Sequence, residues 1–491
     1  MTRTLTPPIS IRRGWTLLAV SLATFMTYLD NNVINVAIPT IQRDLHLSQA
    51  GIEWVVSAYI LVFAALLLAG GRLADVFGRR SVFAIGLTVF TGASLLAGLS
   101  GSMDLLVASR ALQGLGGALV TPTTLAIIAS TYPEPAEQAR AVGLWSAVGA
   151  MGLAFGPLVG GLLSEDVSWH WIFFLNVPIG LLTLPLGWWA IAADTRSTES
   201  AATRLRRLDL PGVITSTLAL GGLTYALIEG PQIGWGTAQV VTGFFVALLA
   251  GSAFLIAERA AADPMVHLAI FTSRIFNGGV VAIMLWAFGL FGIYFYTSLY
   301  LQDVLHFGAI EAGSAFVPMA LLMAVGASVS DRVAARFGAH RSVGWAMVLM
   351  GGGIASVSLL GAHSGFLALM PGLAVIGIGG GLTIPLTSSI LGAMPEERAG
   401  VASGIFNASR EVAGLLGVTV IGVILTSRMH AVQHAVHNPQ AAFLSGYRLA
   451  LIIAGAMVAS GGLAAWRSLR TAGSGGTGDE PTGTPRLVTA A

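Results

Sequence analysis

IEWVVSAYILVFAALLLAGGRLADVFGRRSVFAIGLTVFTGASLLAGL, residues 52–99, holds two apolar runs joined by a short loop that carries every charge of the stretch after Glu53. The runs, about 52–71 and 82–100, each approach the roughly 20 residues a helix needs to cross the hydrocarbon core of a bilayer. Both are apolar on every face, as a helix in lipid is and a helix on a soluble surface is not. The same pattern recurs along the chain. Fourteen apolar runs can be counted, the first at about 15–38 and the last at about 446–466, so the expected fold is an all-α polytopic membrane protein with fourteen transmembrane helices.

Composition agrees. The 491 residues are 55% hydrophobic and 10% charged, with a mean hydropathy of +0.79. The 62 Gly are nearly double the usual share of about 7%, as expected where membrane helices approach closely. All 25 basic residues are Arg, which removes a Walker A Lys and a Schiff-base Lys and excludes a P-loop ATP-driven pump within this chain. The absence of Cys excludes disulfides, thiol nucleophiles and iron–sulfur clusters. No metal site or cofactor is expected. A net charge of +2, with Arg scattered through short loops, gives no footprint for nucleic acid. No soluble catalytic motif such as HExxH or GxSxG occurs, so an enzyme is not expected.

With the amino terminus inside, twenty Arg fall in cytoplasmic segments and three (Arg43, Arg428, Arg448) outside. The positive-inside rule then places both termini in the cytoplasm, and the cell's inner membrane is the expected location. The first run is too long for a cleaved signal peptide and holds Asp30. An offset near 260 residues relates the two ends of the chain: Arg72 and Phe77-Gly78 recur as Arg332 and Phe337-Gly338, Arg140-Ala141 as Arg398-Ala399, and Pro122 as Pro385. The organisation expected is a cytoplasmic amino terminus over 1–14, a six-helix bundle over 15–192, and a linker with two extra spans over 193–273. A second six-helix bundle covers 274–467, and a disordered tail 468–491. Parallel halves of this kind bind ligand at their midplane interface and move by rocking.

Between the second and third spans stands GRLADVFGRRSVF (Gly71 to Phe83), in which Asp75 can meet Arg79 or a neighbouring helix end and latch two spans in one conformational state. Gly71, Asp75, Gly78, Arg79 and Arg80 are the candidate latch. In this stretch the chain resembles the major facilitator superfamily. The echo at 332–341 departs from the pattern, since Asp75 aligns with Ala335. LDNNVINVAIP (Leu29 to Pro39), LVASRALQGLGGA (Leu106 to Ala118), GLAFGPLVGG (Gly152 to Gly161) and WHWIFFLNVPIG (Trp169 to Gly180) narrow the resemblance to the fourteen-span drug:H+ antiporter family, over essentially the whole chain except the tail.

Gly152, Gly156, Gly160 and Gly161 clear a smooth helix face while Pro157 frees a backbone carbonyl. Simple close packing is itself part of the role this stripe is expected to play; by resemblance it marks antiporters. The second half keeps Gly414 opposite Gly156 but has Leu415 opposite Pro157. Buried charge discriminates further, because a charge at the bilayer centre costs about 2.5–3.5 kcal/mol on insertion scales. Asp30, Arg110, Arg410 and Glu411 qualify, whereas Glu53 and Glu311 sit near span ends and are expected to be interfacial. Thr24, Thr27, Asn31 and Asn35 give the first span a polar flank, which interhelical hydrogen bonding could also explain. Where the family commonly has Thr, this chain has Asn32.

Asp30 is the candidate proton-coupling carboxylate, with Arg110 its conditional partner and Glu411 a second titratable site. The family usually has an uncharged amide where this chain has Glu411, and Arg410 and Glu411, about 100° apart on the helix, are not expected to neutralise each other face to face. The resemblance implies a cavity lined by spans 1, 4, 9 and 12; the candidate lining is Asn31, Asn35, Gln113, Phe291, Phe295 and Arg410. Aromatic walls suit lipophilic or cationic compounds. The expected activity is proton-coupled efflux of such compounds by alternating access, with small-molecule substrates, protons and the bilayer as partners. Export of one dedicated metabolite or antibiotic is the alternative, and a membrane receptor or embedded enzyme the reading from another class.

Overall fold

The computed structural model of the chain describes residues 9–193, 209–261, 264, 266, 268–392, 396–433 and 438–470. The apolar runs are helical, as they must be in lipid if backbone N–H and C=O groups are to be satisfied internally. In the first bundle these are α1 (Ile9–Asp44), α2 (Gln49–Phe77), α3 (Arg79–Gly98), α4 (Met103–Thr131), α5 (Pro135–Asp166), α6 (Trp171–Phe174) and α7 (Asn176–Ala190). Next come α8 (Leu210–Ile233) and α9 (Ala238–Ala260). The second bundle has α10 (Arg274–Leu299, continued by a π-turn over Tyr300–Val304), α11 (Ala309–Phe337), α12 (Ala339–Val357), α13 (Phe366–Gly381), α14 (Pro385–Gly392), α15 (Glu396–Gln433) and α16 (Pro439–Arg470).

Two spans break at proline. Pro178 has no N–H to offer the Phe174 carbonyl, and the helix divides at Leu175 between α6 and α7; Pro385 does the same to Gly381, separating α13 from α14. The recurrent loops close on glycine. Gly78 (φ 95°) and Gly338 (φ 84°) stand in a backbone region that favours glycine. Each donates its N–H back one turn, to Ala74 and Ala334.

Among the described residues, twelve helices are long and apolar enough to cross a membrane, two fewer than the fourteen expected. The two runs outside that count are those of α5 and α12. Several side chains of α5 lie outside the described residues, and its 141–163 stretch is free of charge. α12 is only 19 residues long, opens on His340 and Arg341, and includes Gly351, Gly352 and Gly353. Leu182, Leu248, Leu359 and Leu367 are highly exposed on the outside of the structure, a surface that suits lipid and not water.

The internal repeat is realised as repeated packing. α1 packs on α5 and α7 as α10 packs on α15 and α16; α4 packs on α2 and α3 as α13 packs on α11 and α12. Across the bundles the same logic gives the two most extensive contacts, α5 on α11 and α2 on α15. α8 pairs with α9 and lies against α2 and α15, beside one of these seams. One end of the structure carries Arg79, Arg80, Arg332, Arg336 and Arg341; the opposite, Arg-poor end carries the turns near His46 and His306. At the Arg-poor end the bundles are tied together. Gln302 Nε2 donates to the Val36 carbonyl at 2.8 Å, and the Ile310 N–H donates to Glu165 Oε2 at 2.8 Å.

Candidate functional site

Asp30 lies in the middle of α1 with no solvent exposure, and Arg110 on α4 has none either. Arg110 Nη1 donates to Asp30 Oδ2 at 2.7 Å. Gln113 Nε2 and Asn176 Nδ2 donate to Asp30 Oδ1 at 2.9 and 2.7 Å. Around this core, Arg110 also donates to Gln113 Oε1 at 2.9 Å and to the Val55 carbonyl at 3.2 Å, and Gln113 donates to Ser94 Oγ at 2.8 Å. α1, α3, α4 and α7 therefore converge on one carboxyl group. Among the described residues every hydrogen-bond partner of that group is an N–H donor, the arrangement that suits a carboxylate's acceptor oxygens. Gln113, expected on the cavity wall, is instead fully buried inside this network. Asn176 belongs to a motif noted in the sequence, but an amide in an apolar run gave no sign of the carboxylate it serves.

Between the bundles lies a cavity of about 140 Å³, lined by Tyr28, Asn31, Asn32 and Asn35 of α1, Tyr59 and Phe63 of α2, Thr121 of α4, Trp286, Phe291 and Tyr294 of α10, and Arg410 and Glu411 of α15. Drug-sized ligands occupy pockets of about 300–1,000 Å³, so the bundles must separate further to admit one. A larger hollow of about 980 Å³ beside Phe337, Trp345 and Leu349 is walled by exposed apolar residues and faces the lipid side. Asn31, Asn35, Phe291, Arg410 and Glu411 stand on the cavity wall as expected. Phe295 does not. It is fully buried, edge-on to Tyr296 at 4.7 Å, because its position on α10 points into the bundle.

Arg410 and Glu411 correct a second expectation. Arg410 Nε and Nη2 lie 3.1 and 2.8 Å from Glu411 Oε1, a direct ion pair between neighbours in sequence. Their Cα–Cβ bonds diverge, but the long Arg side chain curls back far enough to bring both nitrogens to one oxygen. Two donors on the wall are unsatisfied: the Trp286 indole N–H and the Tyr294 hydroxyl are buried without a hydrogen-bond partner. Tyr294 is 3% exposed and stacks on Phe316 at 4.9 Å.

The ion pair and the cavity meet at Tyr59. Its ring lies 4.5 Å from the Arg110 guanidinium carbon, and the same residue lines the cavity. Sequence reading missed Tyr59, since one aromatic in an apolar span carries no signal. The polar flank of α1 divides. Thr24 accepts the Trp145 indole N–H of α5 at 2.6 Å, while Thr27, Asn31 and Asn35 turn to the cavity. Glu311 is exposed, as expected of an interfacial residue. Glu53 is not interfacial: it is 3% exposed, because α8, α10 and α15 cover its end of α2.

The glycine stripe of α5 divides as well. A Cβ at Gly152 or Gly156 would stand 2.8 Å from the Phe25 carbonyl oxygen or 2.7 Å from Asn32 Cβ, and one at Gly160 would collide with the Val33 carbonyl. That face holds α1 within its own bundle. Gly161 abuts Ala309, and Gly313 abuts the Pro157 carbonyl, so Pro157 and Gly161 form the seam with α11. At the Arg-rich end, Arg79 Nη1 donates to the Ala126 carbonyl of α4 at 3.2 Å and Arg80 lies 4.1 Å from the Trp188 ring. Gly71 faces Pro122 at ordinary contact distance. The side chains of Asp75 and Arg398 lie outside the described residues.

Three comparisons bear on this geometry. The Major Facilitator Superfamily profile matches residues 20–418. The multidrug resistance protein Stp of Mycobacterium tuberculosis (strain CDC 1551 / Oshkosh) is 34% identical over 419 residues, 85% of this chain and 76% of that one. The tetracenomycin C resistance and export protein of Streptomyces glaucescens is 36% identical over 433 residues, 86% of this chain and 78% of that one. In fold, the chain is similar to a bacterial homologue of the human lysosomal transporter Spinster in an inward-facing, unoccupied conformation (TM-score 0.65, 18% identity, covering 94% of this chain and 97% of that chain).

Proposed function

Because the chain belongs to the major facilitator superfamily of membrane transporters, we propose that it is a proton-coupled efflux antiporter of fourteen spans, exporting small lipophilic compounds by alternating access. The observation that carries this reading is the buried Asp30–Arg110 pair at 2.7 Å, joined to the cavity between the bundles through Tyr59. α5 and α12 are counted as spans because each packs lengthwise among spanning neighbours. The Arg-rich end is taken as cytoplasmic, with both termini on that side of the inner membrane. The described conformation is then the one closed toward the outside.

In this reading Asp30 is ionised in the outside-closed state, its charge held by Arg110, Gln113 and Asn176. Protonation in the outside-open state removes the charge that fixes Arg110. The guanidinium then relaxes against Tyr59 and reshapes the cavity, so proton and substrate compete without touching. At a proton-motive force of about 150 mV one proton supplies roughly 3.5 kcal/mol, enough for roughly a 300-fold substrate gradient. Latch residues at the Arg-rich end, with Asp75 among them, stabilise one of the two states.

Substrate chemistry follows from the wall. Arg410 compensates Glu411, so the cavity offers no free negative charge to a cation, while the Trp286 N–H and Tyr294 O–H await acceptors. Flat aromatic compounds bearing oxygen acceptors fit best, and relatives named for multidrug resistance and for tetracenomycin C resistance and export support drug-like compounds as the cargo class. Export of a single dedicated antibiotic remains the alternative within this class. Purified protein in proteoliposomes tests the proposal: substrate addition releases protons if the reading is right, and transport without proton movement overturns it.

A further inference from the structure

One buried carboxyl has no cation. Glu53, one turn into α2, is 3% exposed, and among the described residues no Arg or His lies within ion-pair distance of it. Its Oε1 lies 3.2 Å from Gln49 Nε2 on its own helix and 3.1 Å from the Tyr296 hydroxyl of α10. That hydroxyl, on a fully buried residue, is also 2.9 Å from the Val418 carbonyl oxygen of α15. Gly422, one turn beyond Val418, leaves the room: a Cβ there would stand 2.6 Å from Glu53 Oε1. The charged group that acts on it from a neighbouring helix is a second carboxyl, Glu229 of α8, which accepts the Trp54 indole N–H at 3.0 Å.

A hydroxyl has one proton, and here two oxygens lie within its reach. The Val418 carbonyl can only accept. If Glu53 were ionised it too could only accept, so one of the two contacts would set lone pair against lone pair and an uncompensated charge would be buried. A protonated Glu53 satisfies the whole cluster: Glu53 O–H donates to Tyr296, Tyr296 O–H to Val418, and Gln49 N–H to Glu53. No charge is left uncompensated.

We propose that Glu53 is a second proton-binding site, one that locks the outer gate: it is protonated while the bundles meet at the Arg-poor end and ionised when they part. The inference rests on the alternating-access reading above. Glu53 belongs to the first bundle, whereas Tyr296, Val418 and Gly422 belong to the second. Separation removes the hydrogen-bonding chain and admits water, and both changes favour the carboxylate. By linkage, a proton that binds the closed gate more tightly than the open one also favours closure. The proton comes from the outside phase and returns to it, so the site times the gate without adding to the protons carried.

The absence of Cys in the chain permits a single reporter. Ala309, buried against Gly161 in the seam, is replaced by Cys and challenged from outside with a membrane-impermeant maleimide. Rates are normalised to Cys at the exposed His363, which cancels the intrinsic pH dependence of the thiol. With Glu53 intact, normalised labelling rises by about fivefold or more as external pH is raised. With Glu53→Gln, which cannot ionise, labelling stays slow and flat. Tyr296→Phe, which removes the acceptor contributed by the other bundle, lessens the slope and serves if Glu53→Gln does not accumulate. A flat response with Glu53 intact, or the full slope retained in either variant, overturns the proposal. If Asp30→Asn still exports with a pH gradient while Glu53→Gln abolishes the slope, the coupling reading fails and the gate lock stands.

Discussion

The Arg110 guanidinium carbon lies 4.5 Å from the Tyr59 ring, which places an aromatic face between a buried ion pair and the cavity. Cation–π contacts of this kind contribute about 2 kcal/mol when desolvated. Tyr59→Leu removes the face and leaves both the ion pair and the opposite wall intact. Substrate binding is expected to persist, while proton release on substrate addition falls by roughly tenfold or more. Tyr59→Phe keeps the ring and is expected to retain most of the coupling.

Removing one partner of a buried pair costs about 3–5 kcal/mol, whereas neutralising both costs far less. Arg110→Ala strands the Asp30 carboxylate and is expected to lower thermal stability sharply in detergent. Asp30→Asn combined with Arg110→Gln is expected to recover most of that loss. Thermal unfolding of the two variants checks this; equal melting temperatures would refute it.

Gly161 and Gly156 are expected to fail differently. Gly161→Leu drives a side chain into Ala309 across the seam, so it holds the Arg-poor end open and raises maleimide labelling of Cys at Gln302, which ties the second bundle to α1 at the same end. Gly156→Leu pushes instead on Asn32 within the first bundle. It is expected to disturb substrate affinity, by displacing the lining of α1, before it disturbs closure.

The unsatisfied donors of the cavity make a prediction about affinity. Tyr294→Phe and Trp286→Phe each remove one donor, and a net hydrogen bond contributes about 0.5–1.5 kcal/mol. Each variant is expected to weaken binding of acceptor-bearing aromatic substrates up to about tenfold, leaving hydrocarbon-like compounds unaffected. Titration by quenching of the protein's tryptophan fluorescence would read both.

Glu411→Gln removes the compensation of Arg410 and leaves a positive wall. Anionic substrates are expected to gain and cationic ones to lose affinity. Unchanged selectivity would mean that the pair is structural only.

The apolar runs were readable because each depends on residues close in sequence: about twenty apolar residues make a spanning helix, and among the described residues twelve helices are long and apolar enough to be one. Asp30 and Arg110 were readable as buried charges, since lipid leaves an unpaired charge few places to go. What stayed hidden depends on direction. Gln113 and Phe295 lie on the right helices but face into bundles, while Tyr28 and Tyr59 face the cavity, and no local pattern separates these cases. Glu53 looked interfacial because depth along a span says nothing about what covers it sideways. The Arg410–Glu411 pair was missed because helical angles describe Cβ directions and not the reach of a long side chain.

The central claim, that Asp30 couples protons to export, is tested most directly by efflux driven by a pH gradient alone in proteoliposomes loaded with an aromatic substrate. Intact protein is expected to expel substrate when the gradient is imposed. Asp30→Asn is expected to bind substrate with similar affinity and to exchange it across the membrane, but to show no acceleration by the gradient. Full gradient-driven efflux by Asp30→Asn would contradict the account.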